Sequence, residues 1–411
     1  MRTRPPGPAG PDPLARVRAL LHAHPLVDGH NDLPWAARTL VGYDWDRLDI
    51  AGRTPATHTD LPRLAEGGVG AQFWSVFVPS TLPPDQAVVQ TLEQIDAVHT
   101  MVGRYPDRLG LATTAAQARE VFASGRVASL LGAEGGHSIG CSFGTLRMLH
   151  RLGVRYLTLT HNDNTPWADS ATDAPVHGGL TAFGRAVVRE MNRIGMMVDL
   201  SHVSADTMGD ALAASRAPVI FSHSSARALC DSPRNVPDDV LATMAAAGGV
   251  CMAVFAPPFV SQARWDWRVE AGEAARAEGV APTDLTAFTP FLQRWARQHP
   301  PPPVTLADVV NHVEHLREVA GVEHVGLGGD YDGVPDQPEG LADVTGYPRL
   351  LAALADRGWS DAELVALAGG NVLRVLAEVE QVAARLQREE PPGLARIEQL
   401  DAPAPAPTAG A

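Results

Sequence analysis

The sequence contains no lysine, because all 33 of its basic residues are arginine. This absence excludes every mechanism that needs a lysine amine, including Schiff-base catalysis and the phosphate-binding lysine of P-loop nucleotide enzymes. It also excludes the barrel hydrolases in which a carbamylated lysine bridges two metal ions. Any two-metal site in this chain must therefore use a different bridging residue.

Cysteine is scarce as well. Cys141, Cys230 and Cys251 are far apart, so we expect neither a disulfide framework nor a Cys-x-x-Cys metal site. The formal net charge of −14 disfavours nucleic acid and anionic membrane surfaces as partners. No run of about 18 apolar residues predicts a transmembrane helix, and the first residues lack the apolar core of a signal peptide. We therefore expect a cytoplasmic protein without a membrane anchor.

Eight short apolar runs, mostly bounded by glycine or proline, are typical of buried parallel strands. They are Leu26–Gly29, Val69–Val78, Val127–Ala133, Val154–Thr160, Met196–Leu200, Pro218–Ser222, Gly249–Phe255 and His324–Gly328. Helical spacing of apolar residues lies between most of them, for example over Pro84–Tyr105 and Leu306–Ala320. This alternation predicts an α/β fold, a (β/α)₈ barrel of the TIM type.

Composition divides the chain into one domain and two tails. Residues 1–12 and 390–411 are rich in proline, alanine and glycine, and we predict that they are disordered. Residues 13–389 are predicted to form a single barrel domain. Within it, residues 257–304 are interpreted as an insertion after the seventh strand that is able to cover the mouth of the barrel.

Polar residues cluster where the predicted strands end, which is where barrels of this type carry their reactive groups. His30 and Asp32 follow the first strand and, being two apart on extended chain, point the same way. Glu134, His202 and His223 follow three other strands. Imidazole and carboxylate ligands suit zinc, with manganese or iron as alternatives. Five ligands are too many for one open tetrahedral ion, so we predict two ions bridged by the Glu134 carboxylate.

The segments around these residues resemble the membrane dipeptidase (renal dipeptidase) family. The matching segments are VDGHNDLPW (27–35), EGGHSI (134–139), LTLTHNDNTPWAD (157–169), DLSHVS (199–204), FSHSSARAL (221–229), RNVPDD (234–239) and GLGGDYDGV (326–334). The resemblance implies a metallo-dependent hydrolase-like barrel that cleaves free dipeptides, often with a D-residue at the C-terminal position. It also implies a homodimer.

The resemblance assigns a metal to each predicted ligand. It implies that His30 and Asp32 bind the first zinc, that His202 and His223 bind the second, and that Glu134 bridges the two ions. In this mechanism a hydroxide held between the two ions attacks the peptide carbonyl.

Three further roles are implied by the matching motifs. His161 stabilises the tetrahedral intermediate, Arg234 binds the substrate carboxylate, and Asp330 transfers the proton. Asp199 and Asp332, which adjoin these motifs, are interpreted as residues that orient ligands or cap the chain. Asp163 stands where animal members have a disulfide cysteine, and together with the expected absence of a secretion signal and a lipid anchor it favours a soluble relative.

Two alternatives from other classes stay open at this point. One is a different binuclear amidohydrolase, such as a deaminase, lactonase or phosphotriesterase, although a deaminase would give Arg234 no evident role. The other is a non-catalytic metal-binding or scaffold protein on the same barrel. Loss of a ligand residue would favour that second alternative, and none of the five ligands is lost.

Overall fold

The computed structural model describes residues 12–401, which form nine strands and the helices around them. The strands are β1 (Leu26–Asn31), β2 (Val69–Ser75), β3 (Leu109–Leu111), β4 (Val127–Glu134), β5 (Val154–Thr158), β6 (Met197–Asp199), β7 (Ile220–Ser224), β8 (Val250–Ala253) and β9 (Val325–Leu327). The helices are α1 (Pro13–Ala23), α2 (Leu33–Val41), α3 (Leu61–Glu66), α4 (Pro84–Arg104), α5 (Ala115–Ala123), α6 (Phe143–Arg151), α7 (Ala182–Ile194), α8 (Ala205–Ala214), α9 (Asp238–Ala246), α10 (Pro257–Val260), α11 (Gln262–Ala277), α12 (Leu285–Gln298), α13 (Leu306–Ala320), α14 (Tyr347–Asp356), α15 (Asp361–Val365), α16 (Asn371–Glu389) and α17 (Ile397–Leu400).

Eight of the strands close into a parallel barrel. They follow the order β2-β1-β9-β8-β7-β6-β5-β4, and β4 then pairs with β2, with Ala71 opposite Ala128 and Ser75 opposite Gly132. The predicted (β/α)₈ barrel is confirmed, and each predicted apolar run overlaps one barrel strand. The ninth strand, β3, pairs only with the first residues of β4. The sequence analysis missed β3 because its three residues are too few to show a period.

The barrel strands are buried on both faces, which explains why their sequences are continuous apolar runs. Inside the barrel, Gly132 on β4 leaves room for the ring of Tyr156 on β5. A Cβ atom at position 132 would lie 1.9 Å from the Tyr156 Cζ atom. The absence of a side chain at Gly132 therefore allows Tyr156 to cross the barrel and reach β1, where it contacts the functional site described below.

The C-terminal boundary differs from the prediction. Arg147 donates a hydrogen bond of 2.9 Å to the Gly393 carbonyl, and the Gly393 amide donates one of 3.1 Å to Glu190. The Phe183 amide donates to Asp401 over 3.0 Å. The tail prediction that began at residue 390 is therefore wrong for 390–401, because composition does not reveal these polar contacts. Residues 1–11 and 402–411 of the two predicted tails lie outside the described residues.

The segment 257–304 leaves the barrel after β8, the seventh strand of the ring, and contains α10, α11 and α12. Ala275, Phe288 and Phe291 from α11 and α12 form a small apolar cluster separate from the barrel core. Thr305 directly follows the segment, and its side chain forms a capping box with Asp308 at the start of α13. Within residues 12–401, no helix combines the length and the apolar character that crossing a membrane requires.

Candidate metal centre

The carboxylate of Glu134 lies at the centre of a buried cluster at the C-terminal end of the barrel. Its Oε2 atom is 3.5 Å from His30 Nε2, which in turn is 3.2 Å from Asp32 Oδ2. Its Oε1 atom is 3.0 Å from His202 Nε2 and 3.5 Å from His223 Nε2. The two oxygens of one carboxylate therefore face two different sets of side chains. This arrangement suits a carboxylate shared between two cations.

The hydrogen bonds of Tyr156 determine which nitrogen of His30 faces this cluster. The Tyr156 hydroxyl donates its proton to the Gly29 carbonyl over 3.2 Å. It lies 2.9 Å from His30 Nδ1 and therefore accepts the proton of that nitrogen. In the neutral ring, the lone pair is then left on Nε2, the atom that faces Glu134 and Asp32.

A similar chain orients His223. The Ser222 hydroxyl donates to Asp199 Oδ2 over 2.7 Å and lies 2.8 Å from His223 Nδ1. Asp199 is buried and also accepts from the Thr158 hydroxyl and from the backbone amides of Ser201 and Ser222. Because the Ser222 proton points to Asp199, Ser222 accepts from His223 Nδ1. The His223 Nε2 lone pair therefore faces Glu134, and Asp199 orients this histidine as the sequence analysis suggested.

These constraints turn acceptor atoms of His30 and His223 toward carboxylate oxygens. His30 Nε2 and Asp32 Oδ1 are buried and have no hydrogen-bond partner among the described residues. The nitrogens His202 Nε2 and His223 Nε2 lie only 3.1 Å apart. Lone pairs that face carboxylate oxygens repel each other unless a cation lies between them. The donor set therefore fits divalent metal ions, and imidazole with carboxylate is the ligand chemistry that zinc accepts.

Burial and neighbouring charges set the protonation states of the cluster. At His30, burial is outweighed by Tyr156, Glu134 and Asp32, which raise the pKa of this ring well above the ordinary histidine value. Burial lowers the pKa values of His161, His202 and His223 well below the ordinary histidine value, so these rings are neutral near pH 7. Burial also raises the pKa of Glu134. It raises the pKa of Asp330 to about 8, with the charges of nearby carboxylates adding to the effect. The neutral histidines are in the form that binds metal.

Asp330 joins this cluster from the loop after β9. One of its carboxylate oxygens lies within 4.8 Å of ligand atoms of both His30 and Asp32. Its backbone has a positive φ of 56°, which non-glycine residues rarely adopt. Gly333 allows the two carboxylates to lie close together, because a Cβ atom there would be 2.3 Å from Asp32 Oδ2 and 2.4 Å from Asp330 Oδ1.

His161 borders the cluster on its other side. Its Nε2 atom is 3.9 Å from Glu134 Oε1, and its ring centroid is 4.4 Å from that of His202. The Phe77 ring lies 4.7 Å from His161 and contacts Trp35 edge to face. His161 therefore stands between the candidate metal ligands and an aromatic wall.

Arg234 follows β7 on a loop and is almost fully buried, with 3% of its surface exposed. Its Nη1 and Nη2 atoms have no hydrogen-bond partner among the described residues. The guanidinium lies over the ring of Phe259 at 5.2 Å, and it is close enough for its charge to lower the pKa values of Glu134 and Asp330. Burial lowers the pKa of Arg234 to about 10, so the group stays charged at neutral pH.

The structure therefore brings all eight predicted site residues together at one end of the barrel. Seven of them, all but Arg234, belong to groups of side chains that could hold a metal ion, so the division into five ligands and three neighbours stays a prediction. Asp332 lies apart from the ligand cluster, and its carboxylate accepts from the His58 amide over 2.6 Å. Sequence reasoning missed Tyr156, Ser75 and Phe77. Ser75 donates to Glu134 Oε2 over 3.2 Å. All three residues lie within predicted apolar runs. Only the alternation of inward-facing and outward-facing positions along each strand could have indicated them.

Comparisons with known proteins find relatives over most of the chain. The sequence profile of a family described as membrane dipeptidase (peptidase family M19) matches residues 14–390. The dipeptidase verJ of Clonostachys rogersoniana is 44% identical over 390 residues, which cover 92% of this chain and 89% of that protein.

Two solved structures are also similar. A metallopeptidase of Rhodobacter sphaeroides, liganded with a phosphinate mimic of the dipeptide L-Ala-D-Ala, is 27% identical with a TM-score of 0.70 and covers 87% of this chain and 99% of that chain. The probable dipeptidase PvdM of Pseudomonas aeruginosa is 23% identical with a TM-score of 0.79, over 90% of this chain and 99% of that chain, and shares the fold.

We predict that Tyr156→Phe weakens zinc binding because the proton of His30 Nδ1 loses its acceptor. Partners of this kind are typically worth about 10- to 100-fold in metal affinity. Competition with a chromogenic chelator measures the loss. Tyr105→Phe, which removes an exposed hydroxyl bound to Asp49, is the matched control. Equal zinc affinity in the Tyr156 variant and the control would contradict the orienting role.

Proposed function

This chain belongs to the membrane dipeptidase family, peptidase family M19, and is a metal-dependent dipeptidase; on that basis we propose that it hydrolyses free dipeptides at a two-zinc centre bridged by Glu134. The observation that carries the proposal is the position of Glu134, whose two carboxylate oxygens face different histidines. We assign His30 and Asp32 to the first zinc and His202 and His223 to the second.

The proposal gives the metal ions one chemical contribution and gives the other roles to side chains of the protein. When bound, two zinc ions supply Lewis acidity, which polarises the peptide carbonyl and yields a hydroxide nucleophile near neutral pH. The protein holds His30 and His223 in the required tautomers through Tyr156 and through Ser222 with Asp199. Burial keeps His202 and His223 neutral, so these ligands need not lose a proton when the ions bind.

We assign binding of the substrate carboxylate to Arg234. Its two terminal nitrogens are buried and charged, and they have no hydrogen-bond partner among the described residues. A buried charge of this kind is unfavourable unless an anion binds to it. The planar fork of a guanidinium matches a carboxylate through two parallel hydrogen bonds. A carboxylate bound by Arg234, whose charge acts on Glu134, belongs to the residue on the C-terminal side of the scissile bond, as in a free dipeptide.

We assign His161 and Asp330 to the reacting bond. A neutral His161 is able to donate a hydrogen bond to the oxyanion that forms when the carbonyl is attacked. Asp330 lies beside His30 and Asp32, and burial raises its pKa to about 8, so it is able to hold a proton near neutral pH. Asp330 takes the proton of the attacking water and transfers it to the leaving amine.

We also propose that the substrates include dipeptides with a D-residue at the C-terminal position. The Rhodobacter sphaeroides relative, 27% identical to this chain, is liganded with a mimic of L-Ala-D-Ala, which supports this specificity. The cytoplasmic location expected from the sequence stays a prediction, and so does the homodimer that the resemblance implies. A screen of matched L,L- and L,D-dipeptides tests the specificity, and light scattering tests the assembly.

The first prediction from this function concerns the bridge. The purified protein should contain two zinc ions per chain, and Glu134→Gln should lose both metal and activity, because an amide supplies one neutral oxygen where two cations share a carboxylate. Elemental analysis and turnover measured on one preparation check this. Glu93→Gln, an exposed carboxylate paired with Arg38, is the control. A variant that kept both ions and near-normal turnover would remove Glu134 from the bridge.

The second prediction concerns the clamp. Arg234→Lys should raise KM for free dipeptides by about 10-fold or more, because an ammonium cannot reproduce the two-pronged hydrogen bond. The parent enzyme should also hydrolyse C-terminally amidated dipeptides poorly. Steady-state kinetics on matched acid and amide substrates measure both effects. Equal kcat/KM for the two forms would exclude the assigned role.

The third prediction concerns the proton. Asp330→Asn preserves the shape of the side chain but cannot accept a proton, so kcat should fall by about 10²- to 10⁴-fold while zinc content is unchanged. Zinc content and kcat are measured on the same sample. Loss of zinc would instead indicate that Asp330 orients a ligand, and an unchanged kcat would exclude both roles.

A further inference from the structure

The inserted segment 257–304 contacts the loop that carries Arg234 and the loop that follows Asp330. Near its start, the Phe259 carbonyl accepts a hydrogen bond of 2.8 Å from Asn235, the neighbour of Arg234. The Phe259 ring lies over the Arg234 guanidinium. Arg264, near the start of α11, instead contacts Asp336 in the loop after β9.

Arg264 is buried, with 7% of its surface exposed, although it lies on a helix that is otherwise largely polar. Its Nη1 atom donates a hydrogen bond of 2.8 Å to the Pro302 carbonyl near the end of the insertion. Its Nη2 atom forms an ion pair with Asp336. A single guanidinium therefore joins the start of the insertion, its end and the loop after β9.

Gln337, the next residue after Asp336, connects this ion pair to the candidate active site. Its side-chain amide lies 3.3 Å from the Asp330 carbonyl and 3.4 Å from the Gly329 carbonyl, and donates to both. Asp330 has the positive φ noted above, so its backbone conformation depends on contacts of this kind. The contacts form one path from Arg264 through Asp336 and Gln337 to Asp330.

We propose that the insertion is a positioning element for the reaction, in which Arg264 and Asp336 hold Gln337 against the backbone of Asp330. The proposal rests on the proton-transfer role assigned to Asp330 above. Arg264, Asp336 and Gln337 are positioning residues, because Gln337 contacts the backbone of Asp330, the other two act through Gln337, and none of them contacts the reacting atoms. The side chain at 336 is half exposed, so its replacement leaves the core intact.

The test uses Arg264→Met and Asp336→Ala in the full-length zinc enzyme. Each should lower kcat by about 10- to 100-fold, the usual effect of losing a supporting contact, while KM changes less than about 3-fold. The double variant should be no worse than the single variants, because both break one path. Asp336→Glu keeps the carboxylate and should retain most of kcat.

The matched control is a second ion pair of the same insertion. Arg294 pairs with Glu278 between α12 and the end of α11, and both side chains are about half exposed. Arg294→Met and Glu278→Gln should leave kcat and KM unchanged. Equal losses of kcat in this pair and in the Arg264–Asp336 pair would mean that the insertion acts only through its general stability, and the proposal would be wrong.

Hydrogen–deuterium exchange gives a readout that does not depend on turnover. Backbone amides of residues 329–338 should exchange faster in Asp336→Ala than in the parent or in Glu278→Gln. If the parent hydrolysed no dipeptide, the proposed function would fail, and this exchange would still decide whether the ion pair restrains the loop. Unchanged exchange, or faster exchange with an unchanged kcat, would overturn the positioning role.

Discussion

The functional end of this barrel depends on the mutual repulsion of hydrogen-bond acceptors around Glu134. Tyr156 and Ser222 each accept a hydrogen bond from a histidine Nδ1, so the lone pairs of His30 and His223 face carboxylate oxygens. Buried acceptors that face one another destabilise a fold unless cations lie between them. Metal binding and folding of this region are therefore coupled, since the ions stabilise a geometry that the protein alone does not favour.

The barrel makes this concentration of polar groups possible because it gathers several strand ends in one place. The five candidate ligands occupy the ends of four strands or the loops just after them, and the buried strands below provide rigid support. Space inside the barrel matters as much as the ligands do. Gly132 leaves room for the Tyr156 ring, and Gly333 allows Asp32 and Asp330 to approach. In both cases a glycine leaves the space that a functional side chain occupies.

The sequence was sufficient to predict the barrel and the candidate ligands, because apolar runs followed by polar residues carry that information directly. It was not sufficient for residues whose role depends on reaching across the barrel. Tyr156 belongs to an apolar run and shows no sign in sequence that its hydroxyl meets His30 on another strand. The ordered segment 390–401 was missed for a related reason, since its proline-rich composition conceals the contacts of Gly393 with Arg147 and Glu190.

The absence of lysine gives these observations a common explanation. Without lysine, a carboxylate is left to form the proposed metal bridge, and the two oxygens of Glu134 face different histidines. The proposed function also gives binding of the substrate carboxylate to a guanidinium, and Arg234 is buried with its terminal nitrogens unpaired among the described residues. Because arginine does not readily lose its proton when buried, that unpaired charge persists at a cost of several kcal/mol until an anion binds. The unpaired charge of Arg234 thus lowers the stability of the fold, and binding of a substrate carboxylate recovers this free energy.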